Sequence, residues 1–427
     1  MRIFFCLILL FTARLAGGQT YTLFVGTYTN SGSNTDSPPK DSTGSKGIYV
    51  YHWDAGTGHA TLLSHTEGVV NPSYLAPGPG GKVLYAVTET RTLHAGSLSA
   101  FAWDRVTGGL RLLGKEPSGG DNPVYVSVHP GGKWVAVANY TGGSLSVFPI
   151  REDGSPEFLA VKVLHFGKSV DSVRQDRPHI HSAIYSPDGH YLYVQDLGLD
   201  KIMVYPFTEG VRHPLGLVGM PVASEVSANL TPEMEEPARK PGIQVSTVPG
   251  GGPRHLDFHP NGKYAYLVEE MGGSVDVYRY HPESGGLDLL QRIAAHAPGA
   301  KGPFRSADIH VSADGRHLYA SNREGESNIA IFSIDTATGM LKTVGYQPVF
   351  GKEPRNFTLD PSGRWLLVAN QESNQIVIFR VDRETGLLRP TGRRTASGSP
   401  DSKKSWGWAR GPEVIPVPAP TCLKMIP

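Results

Sequence analysis

Ser97-Leu-Ser-Ala-Phe101, Ser144-Leu-Ser-Val-Phe148, Ser274-Val-Asp-Val-Tyr278 and Asn328-Ile-Ala-Ile-Phe332 follow one pattern of small polar residue, alternating apolar residues and a closing aromatic. Gly47-Ile-Tyr-Val-Tyr51, Lys201-Ile-Met-Val-Tyr205 and Gln375-Ile-Val-Ile-Phe379 are variants of it, making seven copies along the chain. Alternation with a period of two, bounded by turn formers, reads as a β-strand. Polar turns such as Asp54-Ala-Gly-Thr-Gly58, Asp104-Arg-Val-Thr-Gly108 and Asp382-Arg-Glu-Thr-Gly386 follow most copies, so each is half of a hairpin. No segment carries a helical period.

A second anchor precedes most copies, a Pro-x-Gly-like turn between two further strands. Its glycines are Gly81, Gly132, Gly189, Gly262, Gly315 and Gly363, at spacings of 51, 57, 73, 53 and 48 residues. Four short strands in a unit of about 50 residues are the mark of a β-propeller, whose blades bury their faces only against one another. The wide spacing reflects an insertion near 212–248, and a second polar insertion lies near 30–46. The first copy starts at Phe24-Val-Gly-Thr-Tyr28 and lacks an innermost strand. An open ring would leave backbone groups unpaired, and Thr421-Cys-Leu-Lys-Met-Ile426 is the strand available to fill the gap. The expectation is an all-β, seven-bladed β-propeller closed by pairing of the N- and C-terminal strands in one blade, with Cys422 packed inside it.

Composition agrees with this. The 51 glycines and 34 prolines make up about a fifth of the 427 residues, far above the usual share and unsuited to a helical bundle. The 40 basic and 39 acidic side chains leave a net charge of +1, which gives no field for nucleic acid or an anionic membrane. Met1-Arg2, the apolar run Ile3 to Phe11 and Ala16-Gly17-Gly18 read as a signal peptide over residues 1–18. Residues 19–427 are then a single propeller domain, secreted or periplasmic, and a monomer is expected. Signal removal leaves Cys422 as the sole cysteine, so no internal disulfide or cysteine-based metal site is expected.

The repeat register also locates a site. Residues eight before and eight after each anchoring glycine lie together at the far end of its two strands, facing one mouth of the channel. Eight before stand Ser73, Val124, His181, Arg254, Ala307 and Arg355; eight after stand Glu89, Tyr140, Leu197, Glu270, Arg323 and Gln371. Strand-end neighbours add His179, Asn139, Glu269, Asn322, Asn356 and Asn370. Positions that should be apolar thus carry charge, and ion pairs tying blade to blade are the structural alternative. The excess of arginine favours an anionic small molecule, because guanidinium pairs bidentately with carboxylate or phosphate.

Other signals are weaker. His179 and His181 share a strand face but have no third ligand nearby in sequence, so no metal is expected. No Gly-x-Ser-x-Gly elbow occurs. Asn139, Asn229 and Asn356 begin glycosylation patterns; the first and last sit at the expected mouth, leaving Asn229. Trp134 and Trp365 fit core packing, whereas Trp406 and Trp408 are open to a binding role.

Gly252-Pro-Arg-His255, Phe258-His-Pro260, Val268-Glu-Glu-Met271, Pro178-His-Ile-His-Ser182, Ala307-Asp-Ile-His310, Ser321-Asn-Arg323 and Pro420-Thr-Cys-Leu-Lys424 resemble blocks of the propeller-type 6-phosphogluconolactonases. A related branch comprises the carboxy-cis,cis-muconate lactonizing enzymes. The resemblance implies a seven-bladed hydrolase of carbohydrate metabolism that opens a sugar-acid lactone without a cofactor. Its catalytic set maps onto His181, Arg254, Glu270 and Arg323, with His179, Glu89, Asn139, Arg355 and Asn370 expected to bind substrate. Where the family has Asn-Glu this chain has Glu269-Glu270, and Glu269 is expected to raise its neighbour's pKa or repel an anionic substrate. Export argues for an unphosphorylated sugar lactone or another organic acid lactone, since phosphorylated sugar lactones arise in the cytoplasm. A cyclase acting on an olefinic diacid, and a non-catalytic ligand- or protein-binding propeller, are the competing readings.

Overall fold

The structure is a computed structural model that describes residues 19–30, 43–211, 214–215, 243–391 and 412–427. Seven antiparallel sheets make up the described residues, and they are consecutive in sequence apart from one splice. Blade 1 takes its inner strand, Pro420–Ile426, from the C-terminus and adds Thr20–Thr27, Ile48–Asp54 and His59–Thr66. Inner strands of blades 2 to 7 are Leu75–Pro77, Pro123–Val128, Ile180–Tyr185, Pro253–Phe258, Ser306–Val311 and Pro354–Leu359. The closure read from the sequence is therefore present: Thr22 to Thr27 pairs with Ile426 to Pro420. Cys422 is fully buried there, its Sγ 3.4 Å from Leu75 N of blade 2, and burial lifts the thiol to about 11.

Blade 7 departs from the four-strand plan. Its outer edge is built from two short strands, Leu388–Pro390 and Val414–Pro416, both on Gln375–Val381. Residues 1–18, most of 30–46 and most of 212–248 lie outside the described residues, as do Asn229, Trp406 and Trp408.

The recurring turn glycines latch each blade to the one before it. Tyr193, Tyr266 and Tyr319 donate through their hydroxyls to the carbonyls of Gly285, Gly339 and Gly386 at 2.7, 3.0 and 2.9 Å. A Cβ on those glycines would fall within 2.4–2.5 Å of Tyr191, Tyr264 or His317, and each glycine has φ near +75°. Glycine is required on both counts. Trp365 closes the ring in the same way, with Nε1 2.9 Å from Ala55 O and its ring edge-on to Trp53. Trp134 packs on Phe207, so both tryptophans belong to the core.

Candidate functional site

A local irregularity explains why the glycine register finds charged residues. The ladder between first and second strands slips at Pro123/Tyr125, Ile180/Ser182, Pro253/His255, Ser306/Ile309 and Pro354/Asn356. Val124, His181, Arg254 and Arg355 are the residues skipped in four of these blades, and Ala307 with Asp308 in the fifth. A bulge leaves one residue out of the ladder and re-aims its side chain, and here repeated bulges turn that residue toward the channel. In three blades a proline precedes the skipped residue; it can donate no ladder hydrogen bond, so the mismatch costs little there.

Glu270 is the hub. Its Oε2 lies 2.9 Å from Arg254 Nε, 3.1 Å from Arg323 Nη2 and 3.8 Å from His181 Nε2. Its Oε1 receives Arg174 Nη2 at 2.7 Å. Burial raises the Glu270 carboxyl, but Arg323, Arg174 and Arg254 outweigh it and hold the group well below the usual carboxylate range. Burial, then Arg323, lowers Arg254 to about 10, which still leaves it charged at neutral pH. Burial, then Arg254, holds the His181 imidazole well below 6.5, so it is a neutral base.

Beside this hub lies a small polar cleft lined by Ser73, Glu89, His181, Arg254, Arg355, Thr421 and the ring-bearing residues Tyr74 and His255. Arg355 sits over the Tyr28 ring at 5.4 Å, and Tyr28 donates to both Glu89 oxygens at 2.9 and 3.0 Å. His255 Nδ1 is 2.7 Å from Asp308 Oδ1, and burial, then Arg254, pushes His255 down to about 3. Four buried polar atoms here make no hydrogen bond among the described residues: Ser73 Oγ, His181 Nδ1, Arg323 Nη2 and Thr421 Oγ1. Arg323 Nη2 is within ion-pair distance of Glu270, but its hydrogens are not aligned on the carboxylate. Unused donors and acceptors around the hub and the cleft beside it mark a place for a polar ligand.

The sequence-derived residues divide into three groups. His181, Arg254, Glu270 and Arg323 meet at the hub, while Glu89 and Arg355 line the cleft. His179 stands one ring away, stacked on Tyr140 at 4.5 Å with Nδ1 on the Tyr140 carbonyl. Asn139 and Asn370 are not brought to the hub or the cleft. Asn139 Nδ2 is turned outward to Ser118 O, Ser144 Oγ and Ser146 Oγ, and Asn370 Nδ2 to Val349 O. Adjacent strand residues face opposite sides, so these amides tie the crossover from the preceding blade while the residue after them faces the mouth. Asn139 and Asn356 are also buried, out of reach of glycosylation.

Glu269 is the blade-5 counterpart of Asn139. It lies under Gly251 as Asn139 lies under Gly120 and Asn370 under Gly351, turned away from the mouth, so it neither perturbs Glu270 nor meets a substrate there. Among the described residues, both Glu269 oxygens and the nearby Thr247 and Ser274 hydroxyls are buried without a hydrogen bond of good geometry. Burial, then Asp276, holds its pKa well above the usual carboxylate range. A folded state that binds the proton more tightly is favoured below the unfolded carboxyl pKa and loses that advantage as pH rises through the folded value. Glu269→Gln should therefore raise stability by about 1 kcal/mol or more at neutral pH, with the gain shrinking in acid. Thermal melts of both proteins across pH check this; a difference independent of pH would contradict it.

Arg174 is the hub residue that the repeat register misses. It lies in the connection from Val161–Leu164 to Ile180–Tyr185, outside any repeated spacing. The Asx turn at Asp171, which holds the Val173 and Arg174 amides at 2.9 Å, is the one local signal in that segment.

An arginine-rich, carboxylate-centred pocket at the mouth of a seven-bladed ring defines a small-molecule site for a polar or anionic ligand. Residues 22–402 match the family described as lactonase, 7-bladed β-propeller, and the chain belongs to that family. It is 38% identical to the 6-phosphogluconolactonase of Formosa agariphila over 83% of this chain and 91% of that one. Identity to the Bacillus subtilis 6-phosphogluconolactonase is 30%, covering 95% and 98%. Among solved structures, a putative 6-phosphogluconolactonase from Bacteroides fragilis superposes with a TM-score of 0.77 at 36% identity, covering 96% and 98%. The periplasmic gluconolactonase of Pseudomonas aeruginosa gives 0.76 at 30%, covering 96% and 99%. Among the described residues no helix is long and apolar enough to cross a membrane.

Proposed function

We propose that the protein is a lactonase that opens a sugar-acid lactone at this mouth. The observation that carries the reading is the pairing of a neutral, partly unpartnered His181 with a carboxylate held between buried guanidiniums. The ring carbonyl sits against Arg254 and Arg323, whose N–H groups meet the oxyanion as water adds, a contribution of about 3–4 kcal/mol per well-placed donor. His181 with Nε2–H toward Glu270 leaves Nδ1 to take the proton of the attacking water. Glu270 then stabilises the imidazolium, and general-base action of this kind contributes about 10²–10⁴-fold. The acyl–oxygen bond of the ring breaks and the imidazolium returns its proton to the departing ring oxygen. A neighbouring homologue's periplasmic location and the signal-like residues 1–18 support an exported enzyme.

A base held below its ordinary value stays unprotonated in mild acid. Plotted against pH, kcat/KM should therefore keep its plateau well below 6.5, read by acid release on a pH-stat with glucono-lactone and its 6-phosphate. An acid limb at or above that value would remove His181 from the role of base. Consumption of an olefinic diacid in place of either lactone would move the protein to the cyclising branch.

A further inference from the structure

Three guanidiniums hold Glu270, but they are not equivalent. The Arg254 and Arg323 side chains are 2% and 4% exposed and come from blade strands or strand ends; Arg174 is 33% exposed and comes from a loop. It alone binds Oε1, the oxygen turned from the other three contacts. Its remaining contact is long, Nη2 to Tyr140 Oη at 3.4 Å. The loop is fastened at its base: Gln175 Nε2 bonds Leu197 O and Asp200 Oδ1 at 2.9 and 2.6 Å, and Ser169 Oγ bonds Asp200 Oδ2 at 2.5 Å. The backbone is thus fixed while the guanidinium stands at the solvent side of the hub.

We propose that Arg174 is a specificity-determining arm that reads a second anionic group, a carboxylate or phosphate, on the end of the substrate remote from the lactone carbonyl. This deepens the lactonase reading and rests on it for the orientation of the ligand. Buried Arg254 and Arg323, from a strand and a strand end, are held in place for the reacting carbonyl, whereas a solvent-facing guanidinium can exchange one carboxylate oxygen for another of equal charge. Arg174 then moves from Glu270 Oε1 to the incoming anion at little electrostatic cost, because an anionic partner is kept throughout. Loss of one cation from Glu270 raises the proton affinity of Glu270 and His181 together, so the anion that Arg174 recognises also makes the base stronger. An exported enzyme can meet this requirement with an aldaric-acid lactone as well as with a phosphorylated one.

The test uses product binding as well as turnover, so that it survives a failure of the lactonase reading. Calorimetric titrations of wild type, Arg174→Gln and Arg174→Lys would be made with gluconate, glucarate and 6-phosphogluconate. We expect glucarate, 6-phosphogluconate or both to bind at least about tenfold more weakly to Arg174→Gln, with Arg174→Lys restoring part of the loss. Gluconate should change less than about twofold. Which dianion responds identifies carboxylate or phosphate as the anion read. In turnover, Arg174→Gln should raise KM for the matching lactone while its acid limb moves to higher pH. Equal weakening for all three ligands, no weakening for any, or no binding of any ligand to the wild type would overturn the assignment. Arg174-dependent binding without hydrolysis would instead uphold the arm and reject the lactonase.

Discussion

Glu270→Gln will open lactones at least about a hundredfold more slowly than the wild type, with far-UV circular dichroism unchanged. The substitution keeps the length and one acceptor oxygen, so Arg254 Nε retains its 2.9 Å contact. It removes the charge that makes an imidazolium at His181 affordable, 3.8 Å away. It also leaves Arg254 and Arg323, buried beside each other, without their shared anion. Unpaired buried charge is costly, so the melting temperature should drop although the protein folds. Activity and stability then separate: Glu270→Asp restores the charge, and with it most of the stability, but recovers little turnover because its carboxylate is one methylene short of His181. A Glu270→Gln protein with wild-type turnover would place the chemistry elsewhere.

Deleting Thr421 to Pro427 should abolish the cooperative thermal transition. The segment is the whole paired length of blade 1's inner strand apart from Pro420. Without it, the backbone edge of Thr20–Thr27 is open to the channel and the buried Leu23, Phe24 and Val25 lose part of their cover on both faces of the blade. Fixed links to both neighbours also go: Leu423 N to Asn356 Oδ1 of blade 7 at 2.6 Å, and Cys422 Sγ to Leu75 N of blade 2. Burial of Cys422 and Leu423 at about 1.5–3 kcal/mol for a large side chain, with several ladder hydrogen bonds at about 1 kcal/mol each, approaches the total stability of a typical fold. Differential scanning calorimetry of the truncated chain is the check, and a wild-type transition would contradict ring closure by this strand.

What could be read from the residues alone depended on repetition. Blade number follows from seven copies of one strand, the C-terminal closure from the inner strand that the first copy lacks, and the meeting of His181, Arg254, Glu270 and Arg323 from one spacing measured from the anchoring glycines. The same spacing overreached at Asn139 and Asn370, because register gives the level of a residue along a strand and leaves its side undetermined. Those residues precede the mouth-facing position by one, so alternation turns them into the blade. Glu269 is the same case in blade 5. Arg174 was invisible for a different reason: it belongs to a connection, and connections follow no period. Nor could spacing disclose the bulges, which are a product of strand pairing, although the prolines at 123, 253 and 354 stand beside three of them.

Acid release from glucono-lactone at mildly acidic pH, with wild type and Glu270→Gln side by side, tests the central claim most directly. A wild-type rate well above spontaneous opening, lost in the variant, is the result expected of a lactonase whose chemistry sits at this carboxylate. Equal rates in the two proteins, or none above background from either glucono-lactone or its 6-phosphate, would contradict it.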